Sequence, residues 1–310
     1  MARIDLLSYL AKEQYFVVMD VALITCSERS ELSESDTLLQ KALAARDIEA
    51  LPLVWNDPAV DWSRPLVSVI RSTWDYHLQR TAFLEWAQHV SQLHSLWNPL
   101  PLLHWNTHKG YLHDLKELGV PIIPTCWLVQ GASVNLAQLM QKHNWSEVVL
   151  KPAVSADSYG TIKVREDVVE EGQLYLDHML SLRDMLIQPF LPAIMSNGER
   201  SLMFIDGEVT HAVVRPPVLY DMQNQPHLPK KELVTPREDE LQLAQKIISS
   251  LSSPVLYGRI DLVRDGDGQL RLMEVELVEP ELWLTWMPTA AERFADAIAR
   301  EVRQARSRRA

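Results

Sequence analysis

Glycine is scarce in this chain: 10 of 310 residues, none of them before Gly110, against an average of about 7 %. A glycine-rich phosphate loop after a first strand is therefore excluded, and any nucleotide site must hold phosphates by other means. Cysteine is nearly absent as well. Cys26 and Cys126 lie far apart with no paired spacing, which excludes a cysteine zinc site and a disulfide framework and suits a reducing compartment. No apolar segment approaches the ~20 residues of a membrane span. Residues 1–15, with Asp5, Lys12 and Glu13, do not read as a secretory signal, so a cytoplasmic protein without a membrane partner is expected. Positive charge is short too: 30 Lys+Arg against 41 Asp+Glu gives −11, which argues against nucleic acid as a partner. What is present, 47 % hydrophobic and 23 % charged residues, fits a soluble globular chain with a large core. The ten tryptophans read as core and junction packing.

Alternating apolar runs and helical patterns organise the first hundred residues. Residues 16–25, 48–55 and 66–71 read as buried strands, and 34–46 and 80–94 as helices, the order expected of a small α/β unit with a parallel sheet. Residues 97–102 (WNPLPL) hold two prolines and read as a non-helical linker. A helix ending at Gly119, strand-like VPIIPTCWLV, a helix over 136–143, strands VVLKP and TIKV, a long helix over 168–183 and the strand MLIQPFL follow. SLMFIDGEVTHAVV then reads as a hairpin turning at Asp206-Gly207, and the proline-rich span 215–236 as a long irregular loop. Helix 238–251, strands 255–263 and 269–277 joined at 265–268, and a helix from 289 complete the pattern, dividing the chain into 1–104, 105–190 and 191–310.

The strongest local signal is 257–281, YGRIDLVRDGDGQLRLMEVELVEPE. Two strands flank the turn DGDG in a register that opposes Asp261 to Leu272 and Arg259 to Glu274. Side chains alternate faces with period two, so Arg259, Asp261, Glu274 and Glu276 share one face, with Asp261 and Glu274 as diagonal neighbours. Three carboxylates on one face repel unless positive charge sits between them. Hard divalent cations such as Mg²⁺ take carboxylate oxygens together with substrate phosphates, and Arg259 alone cannot neutralise three. Taken by itself, the face also fits a solvated acidic surface. Seven acidic and two basic residues fall within 261–281, so nearly half of the net charge sits there.

Lys151 ends an apolar strand and, preceding Pro152, is held extended, aimed into whatever cleft adjoins the strand. The small-residue turn AVSADSYG after it, with Ser155, lets backbone N–H groups approach phosphate oxygens. Lys109 precedes a helix; alone, each lysine also reads as a surface residue. Arg71 and Asp75, in RSTWDY, fit either a zwitterionic substrate or an internal ion pair bracing the domain junction. His211 reads as a histidine packed within a strand.

Taken in order, Lys109, LKP (150–152), LIQPFL (186–191), GRID (258–261) and MEVE (273–276) resemble the ATP-grasp fold over residues 105–300. The hairpin is especially similar to the metal hairpin of D-alanine:D-alanine ligases. RSTWDY, KPAVSA and EVELVEPELW resemble the branch that includes an O-ureido-serine cyclo-ligase and glutathione-synthetase-like proteins. The resemblance implies a mixed α/β and α+β architecture, with two α+β lobes clamping ATP behind a small α/β parallel-sheet domain. It implies Lys109 and Lys151 on the α- and β-phosphates under the loop of Ser155, and an adenine hinge at Gln188 to Leu191 with Phe190 against the ring. Asp261, Glu274 and Glu276 would hold two Mg²⁺ ions, which Mn²⁺ can replace, and Arg259 and Arg215 would flank the transferring phosphate. Glu276 stands where many relatives have Asn, which keeps an oxygen ligand and adds one negative charge. The loop 216–229 departs from the more glycine-rich loop of relatives. The implied activity is ADP-forming carboxylate–amine ligation through an acyl phosphate on a small amino-acid-like substrate, intramolecular ring closure included, by an enzyme compatible with a homodimer. A small-molecule kinase and a non-catalytic nucleotide-binding module are the alternatives, the second disfavoured by the intact metal ligands.

Overall fold

The computed structural model describes residues 19–217 and 230–309; the predicted strand start at 16–18 and the prolines at 226 and 229 lie outside the described residues. The first sheet runs β2-β1-β3-β4 and is parallel throughout. It comprises β1 Val21–Thr25, β2 Ala50–Val54, β3 Val67–Ser72 and β4 Ser95–Trp97. Every residue of β1 and β3 is buried, as strands covered by helices on both faces must be. Helix Glu34–Ala44 starts at Ser33, whose Oγ accepts from the Asp36 N–H at 3.1 Å. Helix Arg80–Leu93 buries Phe83, Trp86 and Val90. The predicted linker WNPLPL is corrected: Trp97 ends β4, and helix Leu100–Asn106 begins at cap residue Pro99 with a further proline in its first turn. A proline is tolerated there because first-turn N–H groups have no intrahelical partner.

The last helix, Pro288–Arg309, packs between the first unit and strands that precede it, with the Phe294 ring centroid 5.3 Å from that of Tyr257. Its Phe294, Ile298 and Val302 share one core with Leu39, Leu43 and Val69 of the first unit. Its Glu292 and Asp296 pair with Arg46 at 2.8 and 2.7 Å. Met203, Ile205 and Val213, from the third sheet, enter the same core.

The second sheet, β5-β8-β6-β7, is antiparallel, with β5 Cys126–Leu128, β6 Glu147–Pro152, β7 Ile162–Arg165 and β8 Met185–Pro189. The earlier part of VPIIPTCWLV belongs elsewhere: Ile122 bridges Leu272, and the Leu272 N–H donates to Pro121 O at 2.7 Å. The third sheet, β11-β10-β9-β12-β13, is also antiparallel. Its strands are β9 Glu199–Ile205, β10 Glu208–Arg215, β11 Glu232–Val234, β12 Tyr257–Arg264 and β13 Leu270–Glu276. Asp206 and Gly207 both take positive φ, 55° and 76°, as a two-residue I′ turn requires. β11 corrects part of the predicted irregular loop.

The hairpin of β12 and β13 keeps its predicted face but not its predicted partners. Arg259 opposes Glu276 and Asp261 opposes Glu274; beyond Asp261 the pairing slips to Leu262 and Leu272, leaving Met273 as a bulge. The loop is one residue longer than expected, since the Asp265 N–H donates to Gln269 O at 2.9 Å. One extra residue in the loop and one in the bulge together shift the register by two, which preserves the face and changes every partner near the site. Gly258 sits under this hairpin, where a Cβ would stand 2.3 Å from Phe204 Cζ and 2.8 Å from Leu277 Cδ2. Gly258→Ala is expected to cost about 1–3 kcal/mol, read as a lower denaturation midpoint at unchanged m-value. An unchanged midpoint would mean that Phe204 gives way freely.

Candidate functional site

A cavity of ≈ 750 Å³ is bordered by all three units: Trp74 and Tyr76 from the first, Lys151 and Gln188 from the second, Glu199, Arg215, Arg259, Glu274 and Glu276 from the third. Its base is a row of alternating charge. Arg259, 5 % exposed, donates from Nε to Asp261 Oδ1 and from Nη2 to Oδ2, both at 2.9 Å, and also to Glu276. Arg215 donates at 3.2 Å to Asp261 Oδ2, the oxygen it shares with Arg259 Nη2, and pairs with Glu199. The order is thus Glu199, Arg215, Asp261, Arg259, Glu276. Lys109 completes it: Nζ lies 2.6 Å from Glu274 Oε1 and donates to Ser155 O at 3.1 Å, while its backbone N–H donates to Ala153 O at 2.7 Å.

These pairings set positive charge between the three carboxylates of the hairpin. Asp261, Glu274 and Glu276 share a face, but among the described residues no group of three His, Cys, Asp or Glu side chains is close enough to hold a metal. The reason is the interposed guanidiniums and ammonium. Glu274 and Glu276 border the cavity, and Asp261 stands behind Arg259. Burial would raise the Asp261 pKa, yet Arg259 and then Arg215 override it and hold the carboxyl well below the usual range. Glu276 and Glu199 go the other way, pushed up to about 7 by burial against the opposing pull of Arg259 and Arg215 respectively. So much acidity in a low-dielectric wall is a donor set of hard oxygens that a divalent cation would relieve, and Glu274 with Glu276 suits Mg²⁺ shared with phosphate oxygens.

Lys151 extends from β6 and is 9 % exposed. Among the described residues its ammonium has no hydrogen-bond or ion-pair partner. Burial drives its pKa down to about 8, opposed by Glu274 and reinforced by Lys109. At the predicted hinge, the Gln188 side chain turns from the cavity and donates to Thr125 Oγ1 at 2.9 Å, and the Phe190 N–H is already committed to Glu147 O at 2.9 Å. The Leu191 N–H has no acceptor among the described residues, and Phe190 and Leu191 both border the cavity. Lys163 lies 4.4 Å from the Phe190 ring centroid and 3.0 Å from Glu147. The loop past Ser155 takes positive φ at Asp157 and Ser158, 47° and 58°, curling its backbone over the opening.

The structure does not bring Arg71 and Asp75 together or to the cavity. Arg71, 2 % exposed, pairs with Asp36 at 2.7 Å, donates to Pro280 O at 3.2 Å and lies over Tyr257 at 4.9 Å. It braces the junction, with Asp36 in place of Asp75. Asp75 accepts from Trp55 Nε1 at 2.8 Å. His211 is buried, its Nε2 2.9 Å from Leu282 O. Sequence reasoning missed Glu199, because a bulge after Val209 is what sets it opposite Arg215. It also missed Glu279, Lys231 and Trp283 on the cavity wall; Lys231 Nζ lies 4.7 Å from the Trp283 ring.

Comparison with known proteins adds the family. Residues 118–281 match the family model of the prokaryotic glutathione synthetase ATP-grasp domain. The chain belongs to the ATP-grasp ligases. Residues 21–98 of this ATP-grasp chain match the N-terminal domain of D-cycloserine synthetase DcsG. The cycloserine biosynthesis protein DcsG of Streptomyces lavendulae is 31 % identical over 262 residues, 80 % of this chain and 87 % of that one. The crystal structure of D-cycloserine synthetase DcsG superposes with a TM-score of 0.81 at 29 % identity, covering 91 % of this chain and 99 % of the other. An ATP-grasp RimK domain protein of Sphaerobacter thermophilus, TM-score 0.66 at 18 % identity over 91 % and 98 % of the two chains, shares the fold. So does D-alanyl-alanine synthetase A of Vibrio cholerae, 0.65 at 14 % over 93 % and 98 %. ATP and Mg²⁺ are the family's general requirements. No helix among the described residues is long and apolar enough to cross a membrane.

Proposed function

We propose that this ATP-grasp ligase activates the carboxylate of a small amino-acid-like substrate with ATP and closes it onto a nitrogen of the same molecule, as in the conversion of O-ureidoserine to cycloserine. The observation that carries the reading is one cavity that combines an unpartnered buried ammonium, Lys151, with a base of carboxylates interleaved with guanidiniums. Such a site stabilises a transferring phosphoryl group by position and charge, and phosphoryl transfer asks little more of a protein. Lys151 and Lys109 neutralise the α- and β-phosphates, and the curled backbone after Ser155 covers them. The Leu191 N–H and the Phe190 ring receive the base. Glu274 and Glu276, with Asp261 behind them, would hold two divalent cations, which supply charge neutralisation at the β- and γ-phosphates. Arg259 and Arg215, fixed by Asp261, present donors to the oxygens on which charge develops. The nitrogen then attacks the acyl phosphate and phosphate leaves; for O-ureidoserine the carbamoyl group on that nitrogen is removed by water as carbon dioxide and ammonia, and the protein need supply no covalent nucleophile.

Incubation with ATP, Mg²⁺ and O-ureidoserine, with amino acids as a comparison set, is expected to give ADP, phosphate and a cyclised product detected by mass. A product that keeps the phosphate and never forms the carbon–nitrogen bond would instead mark a kinase. ATP binding without turnover on any substrate would mark a binding module.

A further inference from the structure

Past Glu276 the chain runs along the cavity wall with its backbone held from the first unit. Trp74 Nε1 donates to Glu279 O at 3.1 Å, Arg71 Nη2 to Pro280 O at 3.2 Å, and Ser35 Oγ to Glu281 Oε1 at 2.8 Å. The Glu279 side chain, by contrast, is unspent. Glu279 is 7 % exposed and borders the cavity, and among the described residues its carboxylate is met only by its own backbone N–H and forms no ion pair. Tyr76, 4 % exposed, borders the same cavity with its hydroxyl unpartnered among the described residues. Burial first, and then the charge of Glu279, pushes the Tyr76 pKa well above its ordinary value, so the two groups are electrostatic neighbours. Burial and then Glu276 raise the Glu279 pKa in turn, with Glu274 adding to the rise and Lys109 opposing it. Lys109 is no counter-ion for Glu279, being committed to Glu274 and Ser155 O.

A carboxyl and a hydroxyl on one cavity wall, neither tied to another side chain among the described residues, are free to hydrogen-bond a ligand. One carboxylate and one hydroxyl suit a compact cation with several N–H donors, while the Trp74 ring is already covered by Arg29 at 5.0 Å. We propose that Glu279 and the Tyr76 hydroxyl bind a protonated primary amine of the substrate, the α-amine of the amino-acid-like molecule, which ring closure leaves unreacted. The inference rests on the ligase reading above and specifies the substrate as an amine-bearing acid.

Calorimetric titration of the full chain with Mg²⁺ and a non-hydrolysable ATP analogue bound, using both enantiomers of O-ureidoserine, their N-acetyl derivatives and serine, tests it. The amine-bearing ligands are expected to bind about 10- to 100-fold more tightly than the N-acetyl forms. Glu279→Gln should remove that preference while binding the N-acetyl forms and the ATP analogue as wild type does, and Tyr76→Phe should reduce it. Should Glu279→Gln fail to fold, the N-acetyl comparison in wild type and the Tyr76→Phe variant decide. Equal affinity for amine and N-acetyl forms, parallel weakening of both in the variant, loss of the Mg²⁺-bound ATP analogue in the variant, or no amine-bearing ligand bound at all overturns the proposal. Wild type that binds the amine selectively yet makes neither ADP nor a ring would overturn the ligase reading and leave the amine subsite standing.

Discussion

Replacing Lys151 by methionine is expected to abolish ATP-dependent turnover and, in the ligand-free protein, to raise stability. Both follow from one feature, a buried ammonium with no partner among the described residues, which the proposed function pairs with a phosphate. Its pKa, down from 10.5 to about 8 under burial, corresponds to roughly 3 kcal/mol spent at neutral pH on keeping the charge inside the fold. Methionine keeps the apolar stem without the charge, so the variant should gain up to about 3 kcal/mol. Affinity for the ATP analogue should fall about 10- to 100-fold with the loss of a charged phosphate contact. The pH dependence has a definite sign. Between pH ~8 and ~10.5 the unfolded chain binds a proton that the folded chain does not, so wild-type stability rises with pH across that window and the variant lacks the rise. Nucleotide affinity moves oppositely, falling as pH passes about 8, because the bound phosphate needs the ammonium. Melting curves and analogue titrations from pH 7 to 10 check both. A variant that melts lower than wild type and still binds the analogue fully would show that Lys151 is a packing residue.

Asp261→Asn and Glu274→Gln are expected to be equally inactive, at least about a thousandfold down in turnover, and to differ sharply in stability. Asp261 is 1 % exposed and anchors both guanidiniums. Neutralising it leaves buried positive charge uncompensated, at a cost of about 3–5 kcal/mol. Glu199 and Glu276 soften this, since burial first and the Asp261 charge in addition raise their pKa values, and removing that charge favours their ionised forms. The lower end, about 3 kcal/mol, is therefore expected, a fall of about 6–12 °C in melting temperature. Glu274 has a side chain 28 % exposed, so its pair with Lys109 is partly screened and Glu274→Gln should cost about 1 kcal/mol or less. Activity assays beside thermal unfolding separate the two. Matching losses of stability would contradict the division between a buried anchor and a cavity-facing ligand.

The order of elements and the shared face of Arg259, Asp261, Glu274 and Glu276 were legible in the chain because strand period and turn residues are local. The pairings were not. Met273 bulges and the loop after Arg264 lengthens by one residue, and neither has a local signature, so Asp261 was expected across from Leu272 and stands across from Glu274. The same kind of defect after Val209 hid the Glu199–Arg215 pair. WNPLPL was misread because proline is forbidden in helix interiors and allowed in first turns, and the sequence does not say which position it occupies. Arg71 was legible as a junction or substrate residue; its partner Asp36 lies in a different element, and what decides the matter is tertiary packing. Glu279 gave no signal, since an acidic residue beside a proline becomes remarkable only once burial strips it of partners.

Helix Pro288–Arg309 lies on the core of the first sheet together with Met203, Ile205 and Val213. During synthesis, the apolar face presented by β1 and β3 waits for a segment made some 190 residues after β4, on the order of 10–40 s at ordinary elongation rates. For that interval the nascent first unit carries an uncovered hydrophobic surface, a natural substrate for a chaperone. Cutting the gene after residue 104 would leave that surface permanently bare, so a soluble, independently folding fragment is not to be had at that boundary.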